Sequence, residues 1–298
     1  MAALASRRTL LALAALLVFL LSGPAAAAGK TGNVLVYWGR NKAEGSLREA
    51  CDTGTYTFIV ISFLNVFGHG KPSLDLSGHP IARVGADIDY CHSKSKFLFL
   101  SIGGPAGGNS HYSLPSAKAA TDLADYLWFA FLAGHRRDVR RPFGEVELDG
   151  VDLFIDQGPA DHYDVLAARL WSYNKGFRAR TPAQMSATVR CRYPDPRLQR
   201  ALATGVITRI NVRFYGDGYC AAYWQREWEK WTAAYKNAAG IYFGLPASEK
   251  TVGYVHPKNL YYGVIPVVQK AANYEGIMIW DRYTDKLSNY SSYASQWA

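Results

Sequence analysis

The sequence predicts an α/β protein whose parallel sheet closes into a (β/α)8 TIM barrel. Two observations lead there. Eight short runs rich in Val, Ile, Phe and Tyr recur along the chain: 34–38, 56–63, 97–102, 151–155, 185–189, 210–215, 241–245 and 276–280. Most are continuously apolar rather than alternating, which is how strands buried on both faces of a parallel sheet read. Helix-length segments lie between them, among them 116–133, 162–177, 223–235 and 257–271. Eight strands alternating with helices in one domain favour a closed barrel over an open doubly wound sheet.

The first 28 residues stand apart. A basic start (Arg7, Arg8), an apolar run from Leu10 to Leu21 and the small residues Ala25 to Ala28 read as a cleaved secretory signal. Residues 29–298 then form one barrel domain, within the usual size of this fold. No cofactor, nucleic acid or membrane partner is expected, and the protein is expected to be a secreted, extracellular monomer. The formal net charge is +9, of which Arg7 and Arg8 supply two. The remaining cations are interspersed with aromatics and carboxylates, a pattern unlike a nucleic-acid footprint.

All four cysteines, Cys51, Cys91, Cys191 and Cys220, fall after the signal, where thiols oxidise. Of three possible connectivities, Cys51 with Cys91 and Cys191 with Cys220 close the most local loops. A metal site is not expected, because no two cysteines are closer than 29 residues. Asn289-Tyr290-Ser291 is a glycosylation sequon.

In a barrel of this kind the reacting groups sit at the carboxyl ends of the strands. The fourth strand carries Asp149, Asp152, Phe154 and Asp156. Alternation puts Asp152, Phe154 and Asp156 on one inward face. Acidic residues on a buried strand are costly without a purpose.

This strand resembles the Asp-Gly-x-Asp-x-Asp-x-Glu signature of family 18 glycoside hydrolases, and the likeness to plant class III chitinases runs over residues 29–298. Tyr37-Trp38-Gly39-Arg40-Asn41 with Glu44-Gly45 resembles the first strand and loop of that family, Ser101-Ile102-Gly103-Gly104 the third strand, Phe214-Tyr215 the sixth and Gly276 to Trp280 the eighth. The resemblance implies that Trp280 stacks on a sugar and that Tyr215 lies near its acetamido group. It also implies substrate-assisted hydrolysis, in which a Glu at the last place of the signature protonates the leaving oxygen and the preceding Asp orients the acetamido nucleophile.

Those two places hold Asp156 and Phe154. Aspartate is one methylene shorter than glutamate, and a misplacement of about 1 Å can cost roughly 100-fold in rate. Phenylalanine can neither accept nor orient a hydrogen bond. Arg213 stands where class III chitinases usually carry Gln, which changes the charge of the site. No catalytic set is therefore expected, only a degenerate pocket of Asp149, Asp152, Phe154, Asp156, Tyr215 and Trp280.

A chitinase-like chain with Phe at that position resembles the cereal xylanase inhibitor proteins, as do 231–235, 255–263 and 280–283. The resemblance implies an apoplastic or cell-wall protein that blocks microbial xylanases, with Lys258 facing barrel-fold xylanases and the basic loop 174–182 facing the jelly-roll class. In that loop Arg178 and Arg180 are both candidates for the inserted arginine. Two other functions are weighed beside inhibition: a sugar-binding or storage protein that keeps Trp38, Tyr215 and Trp280 around a dead site, and a working chitinase.

Overall fold

The computed structural model describes residues 29–175 and 182–298. Residues 1–28, expected as a signal, and residues 176–181, with Arg178 and Arg180, lie outside the described residues. Eight parallel strands form the barrel: β1 (Val34–Trp38), β2 (Phe58–Phe67), β3 (Phe97–Gly104), β4 (Gly150–Ile155), β5 (Gln184–Arg190), β6 (Arg209–Arg213), β7 (Gly240–Pro246) and β8 (Tyr274–Trp280). Each pairs with the next in parallel, and β8 returns to β1 through Leu35 opposite Met278, which closes the sheet. Two short strands, Ser73–Leu74 and His111–Tyr112, extend the top of β2.

Side-chain alternation explains why these strands are apolar throughout. In β1, Val34, Val36 and Trp38 pack outward among the helices, while Leu35 and Tyr37 point into the barrel. The interior is filled by Phe58, Val60, Phe63, Phe99, Phe154, Tyr242 and Met278, so the barrel is a packed core. At the end of β3, Gly103 and Gly104 adopt φ of +95° and +108°. A Cβ on Gly103 would strike the carbonyl oxygen of Phe154, so glycine lets β3 close against β4.

At least one helix follows each strand: α1 (Leu47–Asp52), α2 (Ile81–Ser93), α3 (Ala117–Phe131), α4 (Tyr163–Ser172), α5 (Gln199–Leu202), α6 (Trp224–Ala234), the composite α7 (257–268) and α8 (Arg282–Ser288), with short helices Gly218–Ala222 before α6 and Tyr290–Ala294 after α8. Ser116 caps α3 by accepting the Ala119 N–H at 3.1 Å. The segment expected as one helix over 257–271 is three pieces, Pro257–Asn259, a π-helical turn Leu260–Val264 and Ile265–Val268. Pro266 has no N–H to return to the preceding turn, and the helix widens there. Between α3 and β4, Arg141 donates to the carbonyls of Phe129, Leu132, Gly134 and Val146 at 2.7–2.9 Å, satisfying acceptors that the loop would otherwise leave unpaired.

The disulfides join Cys51 to Cys91, tying α1 to α2, and Cys191 to Cys220, tying the loop after β5 to the short helix Gly218–Ala222 that follows β6. No cysteine is free. Among the described residues, no helix is long and apolar enough to cross a membrane.

Candidate functional site

At the carboxyl ends of β4, β5, β6 and β8 lies a cavity of about 360 Å³, lined by Phe154, Asp156, Arg190, Arg213, Tyr215 and Trp280 among others. Beneath it Asp152 is fully buried. Its carboxylate accepts from the hydroxyls of Ser101 and Ser186 (2.7 Å each), Thr188 (2.9 Å) and Tyr37 (3.2 Å), and from the Asn211 amide (3.3 Å). Burial pushes this carboxyl above its ordinary range, against the pull of the hydroxyl donors. The five donors come from β1, β3, β5 and β6, so Asp152 stitches the barrel interior together.

One step up β4, Phe154 is 1% exposed. Its ring packs against Phe63 (5.3 Å between centroids), Trp280 (5.7 Å) and Tyr37 (5.9 Å), and the Arg213 guanidinium lies 4.3 Å over it. It belongs to the aromatic floor of the cavity and offers no polar atom there.

Asp156, just beyond the end of β4, is held by two arginines. Arg213 donates from both terminal nitrogens, at 2.8 and 3.2 Å, and Arg190 from Nε at 2.8 Å. Burial acts to raise this carboxyl, but hydrogen bonds and charge, first from Arg213 and then from Arg190, outweigh it and hold the group at about 2. Tyr215 and Trp280 form the opposite wall, their rings nearly parallel at 6.1 Å. The pocket thus carries an ionised, doubly paired aspartate facing an aromatic wall. Among the described residues, no group of three His, Cys, Asp or Glu side chains could hold a metal ion.

The structure brings Asp152, Phe154, Asp156, Arg213, Tyr215 and Trp280 together as the sequence proposes. Asp149 lies elsewhere. It precedes β4 at the amino end of the barrel, where its carboxylate accepts the Leu98 N–H at 2.7 Å and contacts His92 at 3.0 Å. That hydrogen bond raises the His92 imidazole against the effect of its burial. Trp38 also leaves the site: alternation turns it outward, against His79 at 4.4 Å, and Tyr37 is the residue of β1 that faces the pocket. Arg190 goes unremarked in the sequence reading, although Ser186, Thr188 and Arg190 share one face of β5 and the face alone signals it.

Lys258 is exposed near the start of α7, and its backbone N–H is capped by the His256 ring at 3.2 Å. Asn289 is exposed and left-handed (φ 54°) just past α8.

A family model, glycosyl hydrolases family 18, matches residues 33–225, and these contain β1 through β6 and the whole of the Asp152–Phe154–Asp156 strand. The chain belongs to glycoside hydrolase family 18. Within that family it is 51% identical to xylanase inhibitor protein 1 of Oryza sativa subsp. japonica and 53% identical to xylanase inhibitor protein 1 of Triticum aestivum, in each case over 100% of both chains. Among solved structures, the family 18 barrel superposes on the xylanase and α-amylase inhibitor protein of Scadoxus multiflorus with a TM-score of 0.82 at 34% identity, covering 89% of this chain and 98% of the other.

Proposed function

We propose that this family 18 barrel is a secreted inhibitor of microbial endo-1,4-β-xylanases with no hydrolytic activity of its own. The observation that carries the reading is the state of Asp156. A general acid must hold a proton at working pH, and Arg213 and Arg190 keep this carboxylate ionised down to about pH 2. Phe154, packed on three aromatic rings, stands where the family places the carboxylate that orients the substrate. A chain whose sugar chemistry is closed in this way, and which matches xylanase inhibitors at 51–53% identity over its full length, is best read as using its outer surface.

Two elements serve that role in this reading. Lys258, exposed at the start of α7, enters an acidic cleft of barrel-fold xylanases. Arg178 or Arg180 bridges the paired catalytic carboxylates of jelly-roll xylanases, which in a retaining enzyme stand only about 5 to 5.5 Å apart and suit a guanidinium fork. The test is inhibition of one xylanase of each class by Lys258→Ala, Arg178→Ala and Arg180→Ala. Removing one partner of a buried charge pair costs about 2 to 5 kcal/mol, so an arginine variant should lose roughly 30-fold or more against the jelly-roll enzyme alone, and Lys258→Ala should weaken inhibition of the barrel enzyme alone. Full inhibition by all three variants would remove both contacts from the reading. No inhibition by the unaltered protein would remove the function.

A further inference from the structure

The Cys191–Cys220 disulfide clamps the segment after β5 to the short helix Gly218–Ala222 beside the pocket mouth. Arg190 ends β5 and Arg192 follows it, Asp217 and Tyr223 cap the short helix that carries Tyr219, and α6 adds Arg226. These side chains form a ladder. The Arg192 guanidinium lies 3.9 Å over the Tyr219 ring, Tyr219 and Tyr223 are 4.9 Å apart, and the Arg226 guanidinium lies 4.7 Å from Tyr223. Arg226 also donates to the Tyr219 hydroxyl.

The stacked Arg192 and Arg226, and Arg190 beside them, keep half or more of their side-chain surface in solvent, at 59, 53 and 51%. The facing carboxylates are mostly turned inward. Glu227 is buried and accepts from the Tyr193 N–H (3.0 Å), the Tyr219 hydroxyl (3.0 Å), Arg226 (3.3 Å) and Lys230 (2.9 Å). Asp217 caps the Tyr219 N–H at 2.8 Å and stands 3.9 Å from Arg192. Asp156 answers Arg190 and Arg213. Arg190, Arg192, Arg213, Arg226 and Lys230 thus stand against four carboxylates, Asp156, Asp217, Glu227 and the buried Asp195, which accepts the Arg190 N–H at 3.2 Å, and the remaining positive charge lies on the exposed guanidinium groups.

The ladder is continuous with the cavity, since Arg190, Asp217 and Cys220 line both, and at its inner end stand Tyr215 and Trp280. Aromatic faces suit the C–H faces of sugar rings, and exposed guanidinium groups suit carboxylates. We propose that this strip, from the pocket mouth across the Cys191–Cys220 clamp to Arg226, binds a linear polysaccharide bearing carboxylates, a polyuronate. The strip uses none of Lys258, Arg178 and Arg180, so such binding would hold the inhibitor on an acidic matrix without occupying those side chains.

Oligogalacturonate, xylo-oligosaccharide and chito-oligosaccharide are titrated into the full protein by calorimetry, with polyaspartate as an anion without sugar rings. Oligogalacturonate should bind and the two neutral sugars should not. Its affinity should fall roughly tenfold between about 0.01 and 0.15 M salt, as the screening length shrinks from about 30 to about 8 Å. The pair Arg192→Gln and Arg226→Gln should lose roughly tenfold or more in affinity while keeping the thermal midpoint and the xylanase inhibition of the parent. If that pair melts early, Arg192→Gln alone, at the more exposed position, carries the test. Equal binding of neutral oligosaccharides, undiminished binding by a folded variant, or polyaspartate binding as tight as oligogalacturonate would each overturn the proposal.

Discussion

Replacing Asp156 by Asn tests the charge lock directly, because the amide keeps the shape and one hydrogen-bond acceptor and removes the charge. The carboxyl is displaced from its ordinary 3.8 to about 2, which at ~1.4 kcal/mol per unit corresponds to about 2.5 kcal/mol of stability at neutral pH. Arg213, at 12% side-chain exposure, is left without a counter-charge and adds to the loss. The sign follows from the direction of the shift. A depressed carboxyl stabilises the fold above its unfolded value near 4, and the contribution disappears as pH falls through about 2. Urea denaturation at pH 7 should therefore show Asp156→Asn less stable by about 2 to 4 kcal/mol, and the gap between variant and parent should narrow steadily from pH 4 towards pH 2. A difference below about 0.5 kcal/mol at pH 7, or one that does not change with pH, would refute the claim that this aspartate is ionised and paired, and with it the argument that it has no proton to give.

The unaltered protein should release no product from chitin oligosaccharides in a reducing-end assay, and release at ordinary enzymatic rates would contradict the reading of Phe154 and Asp156. Denatured but unreduced protein should show no free thiol on titration, and reducing both disulfides should cost about 2 to 4 kcal/mol each; two or more accessible thiols per chain would mean that a clamp is absent.

The barrel was legible because its strands are buried on both faces, a condition that writes eight apolar runs into the sequence, and the boundaries found for β1 and β4 differ from the sequence reading by one residue at most. The helices were less so, for local reasons. Helix α2 carries Gly85 at its centre, where a Cβ would strike the carbonyl of Phe143, so a residue with low helix propensity is kept to let a loop approach. In α7, Pro266 turns one regular helix into three pieces. The Gly85 effect cannot be read without knowing what packs against the helix, whereas the break in α7 follows from a proline visible in the sequence.

The site divides along the same line. Alternation along β4 was enough to place Asp152 and Phe154 inside, and it also separates Tyr37 from Trp38 on β1. It says nothing of which faces meet. Asp156 and Arg213 are 57 positions apart, and Arg190 is 34 from Asp156, so their union depends on the order of β4, β5 and β6 around the barrel. Read singly, Asp156 is a shortened catalytic acid and Arg213 an altered charge. Read together, they are one ion pair that fixes the aspartate in its ionised form. Lengthening Asp156 to Glu would leave that constraint in place, because the arginines that depress the carboxyl belong to the neighbouring strands. The chemistry of this pocket is therefore set by three residues on three strands, and a change to the signature strand alone alters only one of them.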